Sequence, residues 1–260
     1  MAKALITGAS SGMGKDMAFI LSEMGYDLVL VARDEKRLNF IKKSLKTKVE
    51  VIYLDLSKRE NCFKLYKKVR NIDILINNAG FGEFGEFGEF GEFYYTSLKK
   101  ELNMIDLNIS CLHILTKLYL RDFVRKNKGY ILNVASLAGF GSGPLMATYY
   151  ATKAYVLKLS IAINEELRVR RTKVRVSVFC PGPVKTEFNK RAGLEFKMKA
   201  LSSREASEIA IRGMFRKKMV IIPSLREKIV AFLCKVSPLR IVLIACYHIQ
   251  VSKRDYCQKI

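Results

Sequence analysis

The sequence predicts a doubly wound α/β fold: a parallel sheet of about seven strands with helices on both faces. Two observations carry this expectation. Short apolar runs rich in β-branched residues alternate with amphipathic segments at helical spacing, and such alternation calls for parallel pairing through right-handed crossovers. The runs are apolar throughout, as in strands covered on both faces. Strands are expected at Ala4–Thr7, Leu28–Ala32, Val49–Leu54, Ile72–Asn77, Tyr130–Val134, Val174–Phe179 and Met219–Ile222. Helices are expected over 14–25, 34–46, 57–70, 97–126 as one long helix, 149–170 and 203–215. Asp34 and Ser203 are the expected N-caps of two of them. Residues 1–225 read as one domain without a linker, and 226–260 as its extension.

Bulk properties narrow the class. The 260 residues, half of them hydrophobic, suffice for one large core. Six cysteines form no CxxC pair and read as reduced, mostly buried thiols of a cytoplasmic protein. With two histidines, His113 and His248, no zinc set and no metal site is expected. The first apolar run is too short for a signal peptide, and Lys235, Pro238 and Arg240 interrupt the apolar stretches near the C-terminus. The formal charge of +22 suits nucleic acid, an anionic membrane or an anionic cofactor. The basic residues are dispersed and no nucleic-acid motif accompanies them. A lysine-rich surface without a specific nucleic-acid partner is the preferred reading.

The first strand runs into Thr7-Gly8-Ala9-Ser10-Ser11-Gly12-Met13-Gly14, where a helix opens. Glycines at a strand-to-helix turn let backbone approach a pyrophosphate, whose charge suits the helix N-terminus. The second strand ends at Ala32, so Arg33 is placed to grip a 2′-phosphate. Asp34 could instead bind a ribose hydroxyl as in NAD enzymes, but serves better as a helix cap. NADP is therefore expected over NAD. Further along, Tyr149 and Lys153 are four apart and share a helix face. An ammonium beside a phenol stabilises the phenolate and brings the group towards acid–base work at neutral pH. Ser136 closes the preceding strand, where its hydroxyl can reach a substrate oxygen.

TGASSGMG at 7–14, NNAG at 77–80, Asn108 in LNIS, Ser136 in NVAS, YYATK at 149–153 and PGPVKTEF at 181–188 occur in that order. Over roughly residues 3–225 the chain resembles the short-chain dehydrogenase/reductase family. The resemblance implies a Rossmann-type fold and NAD(P)-dependent hydride transfer on a carbonyl or alcohol. It makes Tyr149 the general acid and base, and Lys153 its partner and a ribose ligand. Ser136 orients the carbonyl and Asn108 holds a relay water. Gly8, Ser10, Ser11, Gly12, Met13 and Gly14 form the pyrophosphate turn, and Asp55 meets the adenine. Asn78, Ala79 and Gly80 support sheet and cofactor. Pro181, Gly182, Val184 and Thr186 flank the nicotinamide. A homodimer or homotetramer is the implied assembly. Met13 stands where the family usually has Ile, and Tyr150 beside Tyr149 is separated from it only by the YxxxK spacing.

Two segments lie outside that pattern. Residues 81–93 read FGEFGEFGEFGEF, a period that fits neither helix nor strand. A flexible loop is expected there. Phe81, Phe84, Phe87 and their partners could form a hydrophobic lid over substrate, or the repeat could be a tolerated expansion; the expansion is preferred for the extra triplets and the lid for whichever triplets remain packed. In the tail, two apolar amphipathic segments split at Pro238 and bordered by basic residues suit an interfacial helix pair on anionic lipid. A substrate-pocket wall or subunit interface, which members of the family often build from this region, suits them equally, and the resemblance to enzymes with such tails implies a lipid-like or otherwise bulky apolar carbonyl substrate. The rival to an enzyme is a non-catalytic cofactor-binding protein acting through its basic surface on membrane or RNA. The joint presence of Ser136, Tyr149, Lys153 and Asn108 argues against it.

Overall fold

The structure is a computed structural model, and it describes residues 2–80, 90–185 and 200–257. Seven parallel strands form one sheet: β1 (Lys3–Thr7), β2 (Asp27–Ala32), β3 (Val49–Tyr53), β4 (Ile74–Asn77), β5 (Tyr130–Val134), β6 (Arg175–Phe179) and β9 (Val220–Ile221). They lie in the order β3-β2-β1-β4-β5-β6-β9. The chain winds outward from β1 to β3, then returns to the far side of β1 as β4. That reversal opens a crevice at the carboxyl ends of β1 and β4, the place where open α/β sheets take ligands. All seven strands fall within the expected runs, give or take two residues. A second, two-stranded parallel pair, β7 (Val184–Lys185) with β8 (Leu201–Ser202), was not expected.

Alternation within strands fills both faces. Ala4 and Ile6 join Met17, Leu21, Ala210 and Met214 on one side. Leu5 joins Leu115, Tyr119 and Phe123 on the other. The first side is covered by α1 (Gly12–Glu23) and α7 (Ser203–Phe215), tied where the Ser207 hydroxyl donates to the Met13 carbonyl at 3.2 Å. The second is covered by α3 (Arg59–Lys68) and α5 (Leu112–Lys126). Truncating one of these buried leucines to alanine costs about 2–5 kcal/mol.

Two expectations are corrected. The cap of α7 is Ser202, one residue before Ser203: its hydroxyl accepts the Glu205 N–H while Glu205 reaches back to the Ser202 N–H. Glutamate at the third helical position fixes that register. The long helix over 97–126 is three pieces: α4 (Leu98–Ile105), a π-helical turn (Asp106–Cys111) and α5. A π-turn inserts a residue into the ladder and is recurrent at functional sites; this one carries Asn108. Asp34 caps α2 (Glu35–Ser44) as expected, accepting the Arg37 N–H at 3.0 Å. The tail forms α8 (Leu225–Val236) and α9 (Leu239–Cys257) on either side of Pro238.

Candidate active site

At the carboxyl end of β1, Gly8 adopts φ +66°. A Cβ there would stand 2.8 Å from the Ala79 Cα, and one on Gly14 would run into the Gly8 carbonyl. The Gly-rich turn is therefore packed backbone to backbone against α1 and the run after β4. Thr7 laces them: its hydroxyl accepts the N–H groups of Asn78 (3.1 Å) and Ala79 (3.0 Å). The Asn78 amide donates to the Thr7 and Gly8 carbonyls, both at 3.1 Å. Ser11, the N-cap of α1, makes no side-chain capping bond, and the first turn holds no acid. The positive end of the helix is thus left to an anion. A glycine cradle under an uncapped helix N-terminus fits a pyrophosphate, and Ser10, Ser11, Gly12 and Met13 border it half-buried.

At the far end of the crevice, Asp34 is engaged as a cap and pairs with Arg37 Nε at 3.2 Å. Arg33, exposed directly after β2, stands at the rim of the same sheet edge. Asp55, two residues after β3, accepts the Ser57 N–H (3.1 Å) and hydroxyl (2.8 Å) through one carboxylate oxygen.

Four buried polar side chains meet beyond the glycine turn. Ser136 follows β5 and caps the short 3₁₀ turn Leu137–Phe140: its Oγ accepts the Ala138 N–H at 3.2 Å. Its hydroxyl donates to the Pro181 carbonyl at 3.4 Å, a long bond that a better acceptor displaces. Tyr149 and Lys153 lie in the first two turns of α6 (Ala147–Val169). The Lys153 Nζ is 5.7 Å from the centre of the Tyr149 ring and 3.4 Å from the Val134 carbonyl. The Asn108 amide donates to the Thr152 hydroxyl at 3.2 Å, and Thr152 donates to the Tyr149 carbonyl at 2.8 Å. The π-turn is thereby locked to the helix that carries the phenol. Gly80 marks how near the crevice lies: a Cβ on it would stand 3.0 Å from Asn108 Oδ1 and 3.5 Å from Lys153 Nζ.

The phenol sits in an apolar setting of Met104, Ala138 and Met146, with Phe90, Leu107 and Tyr150 packed beside it. Phe90 belongs to the last FGE triplets; residues 81–89, with Phe81, Phe84 and Phe87, lie outside the described residues. Nearby, burial pushes the Cys180 thiol up to about 12, against the opposing pull of Lys153. Among the described residues, no group of histidine, cysteine or acidic side chains could hold a metal ion.

Of the expected nicotinamide-flanking residues, Pro181 is buried, Gly182 donates its N–H to Glu227 Oε1 at 2.8 Å, and Val184 lies in β7. Thr186 lies outside the described residues. Sequence reasoning missed Thr7 as a lace, Thr152 and two tail residues. Glu227 both closes the cap of α8 with Ser224 and holds Gly182. Gln250 in α9 donates to the Tyr150 hydroxyl at 2.8 Å. The Ser-x-x-Glu pattern at 224–227 signals the cap; nothing local signals the reach to Gly182.

A glycine cradle lies at the sheet's reversal, and a serine, a tyrosine and a lysine are buried together beside it. Residues 2–195 match the short chain dehydrogenase family, and the chain belongs to the short-chain dehydrogenase/reductase family. It is accordingly an NAD(P)-dependent enzyme moving hydride between cofactor and a carbonyl or alcohol. It is similar to the NADP-dependent 3-hydroxy acid dehydrogenase of Schizosaccharomyces pombe, 31% identical over 84% of this chain and 88% of the relative. Among solved structures it resembles a short-chain dehydrogenase from Sphingobium yanoikuyae in complex with NADPH. That pair has a TM-score of 0.76 and 33% identity over 86% of this chain and 89% of the other. It also resembles the bulky-bulky ketone specific alcohol dehydrogenase from Comamonas testosteroni, with a TM-score of 0.75 and 31% identity over 86% and 87% of the two chains.

Proposed function

We propose that this protein is an NADPH-dependent reductase of bulky, apolar carbonyl compounds — ketones, 3-oxoacyl thioesters or steroid-like ketones. The observation that carries the reading is the burial of Ser136, Tyr149, Lys153 and Asn108 together beside the glycine cradle. The apolar side chains around Tyr149 support an apolar substrate. Preference for NADPH rests on Arg33, with Asp34 already engaged as a cap. The NADPH complex of the Sphingobium relative and the bulky ketones of the Comamonas one point the same way. Residues 1–225 act as the catalytic domain, and 226–260 complete its wall through Glu227 and Gln250. A cytoplasmic homodimer or homotetramer is the expected working form.

When bound, the nicotinamide supplies the hydride that reaches the carbonyl carbon. As charge builds on the carbonyl oxygen, Tyr149 hands it the phenolic proton and completes the alcohol. The Lys153 ammonium stabilises the phenolate left behind. Ser136 turns its hydroxyl from the distant Pro181 carbonyl to the developing oxyanion, a bond that strengthens along the reaction. Asn108, held through Thr152, positions the π-turn against this pair. Oxidation runs the same steps backwards, with Tyr149 as base. The test is an NADPH-oxidation screen over ketones, 3-oxoacyl thioesters and steroids. Turnover of bulky members, with NADH a poorer donor, is expected. Turnover confined to small polar carbonyls, or equal use of NADH, overturns the substrate or the cofactor assignment respectively.

A further inference from the structure

α8 and α9 each give only a narrow stripe to the body of the protein. In α8 the inward residues are Glu227, Ala231 and Cys234; in α9 they are Val242, Cys246 and Gln250. Leu243 and Val251 are half-buried as well; the remaining described side chains up to Ser252 are exposed or border the tail's loops, and much of that exposed surface is apolar. Eleven large apolar side chains between Leu225 and Ile249 are 38–72% exposed, among them Ile229, Phe232, Leu233, Leu239, Ile241 and Ile244. A monomer in water rarely leaves so much contiguous apolar surface bare, so this face is built to be covered.

Charge says what covers it. The same two helices expose Arg226, Lys228, Lys235 and Arg240. Up to Ser252 the only acid is Glu227, and its carboxylate is turned inward onto Ser224 and Gly182. A second copy of this chain would bring the same four cations against themselves, which is strongly unfavourable across an interface. An anionic surface is complementary. Between α8 and the sheet edge, Phe140, Val220, Ile222, Ala231 and Phe232 line a groove with Lys228 and Lys235 beside it. Apolar depth with ammonium groups at its edge matches an acyl chain below an anionic headgroup. No helix among the described residues is long and apolar enough to cross a membrane; apolar side chains fringed by basic ones suit a helix pair lying in the interface instead.

We propose that the outer face of α8 and α9 is a docking surface for an anionic lipid bilayer. The pocket-wall and membrane readings of the tail then hold together, on opposite faces of the same helices. Docking would bring lipid-dissolved carbonyl compounds to a site the same helices touch through Gly182 and Tyr150. The proposal is independent of the catalytic assignments, because its test does not read turnover.

The full-length protein is mixed with vesicles of phosphatidylcholine alone, or with phosphatidylglycerol added, and sedimented at low and high salt. Sedimentation is expected with the anionic vesicles only, and release as salt screens the attraction. Each basic residue near an anionic surface is worth about fivefold in binding, so Arg226→Glu with Arg240→Glu is expected to weaken it by about 25-fold or more. Ile229→Ser with Ile244→Ser is expected to abolish it at unchanged melting temperature and unchanged molecular mass in solution. Failure of the unmodified protein to sediment at low salt overturns the proposal. So does equal binding to neutral vesicles. A fall in molecular mass caused by Ile229→Ser with Ile244→Ser would instead give this face to a second copy of the chain.

Discussion

The crevice between β1 and β4 and the tail helices α8 and α9 solve opposite problems. At the crevice, backbone is packed so tightly that a single Cβ on Gly14 has nowhere to go, and the hydroxyl of Thr7 is committed to holding two turns together. In the tail, a narrow stripe and two hydrogen bonds to the site hold helices whose outer faces stay bare. The first region is built for a ligand of fixed shape, whose phosphates demand fixed donors. The second, on the docking proposal, would meet a surface without fixed shape. A binding element for a rigid cofactor is rigid itself, and one for a fluid partner needs only the right sides turned out.

The largest effect expected anywhere lies at the crevice. Tyr149→Phe keeps the ring and removes the hydroxyl proposed as the proton donor, so turnover is expected to fall about 10²–10⁴-fold. Tyr150→Phe is the control, and steady-state rates of the two separate the adjacent tyrosines. If Tyr150→Phe stops turnover and Tyr149→Phe spares it, the assignment is wrong. Ser136→Ala is expected to cost about 10²-fold in kcat, the order seen for one oxyanion donor. Next comes Arg33→Ala: losing a charged hydrogen bond is expected to weaken NADPH roughly tenfold or more, and NADH little. Fluorescence titration with both cofactors decides it, and equal losses would remove the 2′-phosphate role.

What could be read in the sequence follows the same division. The seven strands, Asp34 as a cap and the order of motifs depend on neighbours a few residues apart, and periodicity carries such information. The register of α7 was missed by one residue because adjacent serines compete for the cap, and the position of Glu205 decides between them. The π-turn at Asp106–Cys111 was invisible because helical periodicity continues through it; what holds it is the bond from Asn108 to Thr152, 44 residues on. The reach of Glu227 to Gly182 and of Gln250 to Tyr150 spans 45 and 100 residues. Single long-range bonds leave no pattern. The tail's amphipathic character was legible, but not which residues turn inward.

Smaller effects test whether the tail is coupled to the crevice. Ser224→Ala removes only the helix cap, expected to cost about 1 kcal/mol of stability. Glu227→Ala removes cap and Gly182 anchor together. A higher KM for NADPH in Glu227→Ala alone, at matched melting temperature, shows that the anchor holds the nicotinamide loop; identical constants in the two variants would reduce Glu227 to a cap. The smallest change expected is Gln250→Leu. Among the described residues its buried Oε1 has no hydrogen-bond partner, so an apolar replacement removes one unsatisfied group while costing the bond to the Tyr150 hydroxyl, and a stability loss of about 1 kcal/mol or less is expected. The KM for bulky ketones is the sensitive readout, with a shift of about fivefold or less expected from losing one hydrogen bond.

The central claim is that hydride passes from the nicotinamide to a carbonyl carbon while Tyr149 supplies the proton. NADPH deuterated at both C4 positions of the nicotinamide, incubated with the enzyme and a bulky ketone identified in the screen, tests it most directly. Mass spectrometry of the product is expected to find deuterium at the carbinol carbon, formed rapidly by the unmodified enzyme and by Tyr150→Phe, and barely by Tyr149→Phe. An alcohol without the label, or one labelled at the unmodified rate by Tyr149→Phe, would contradict the account.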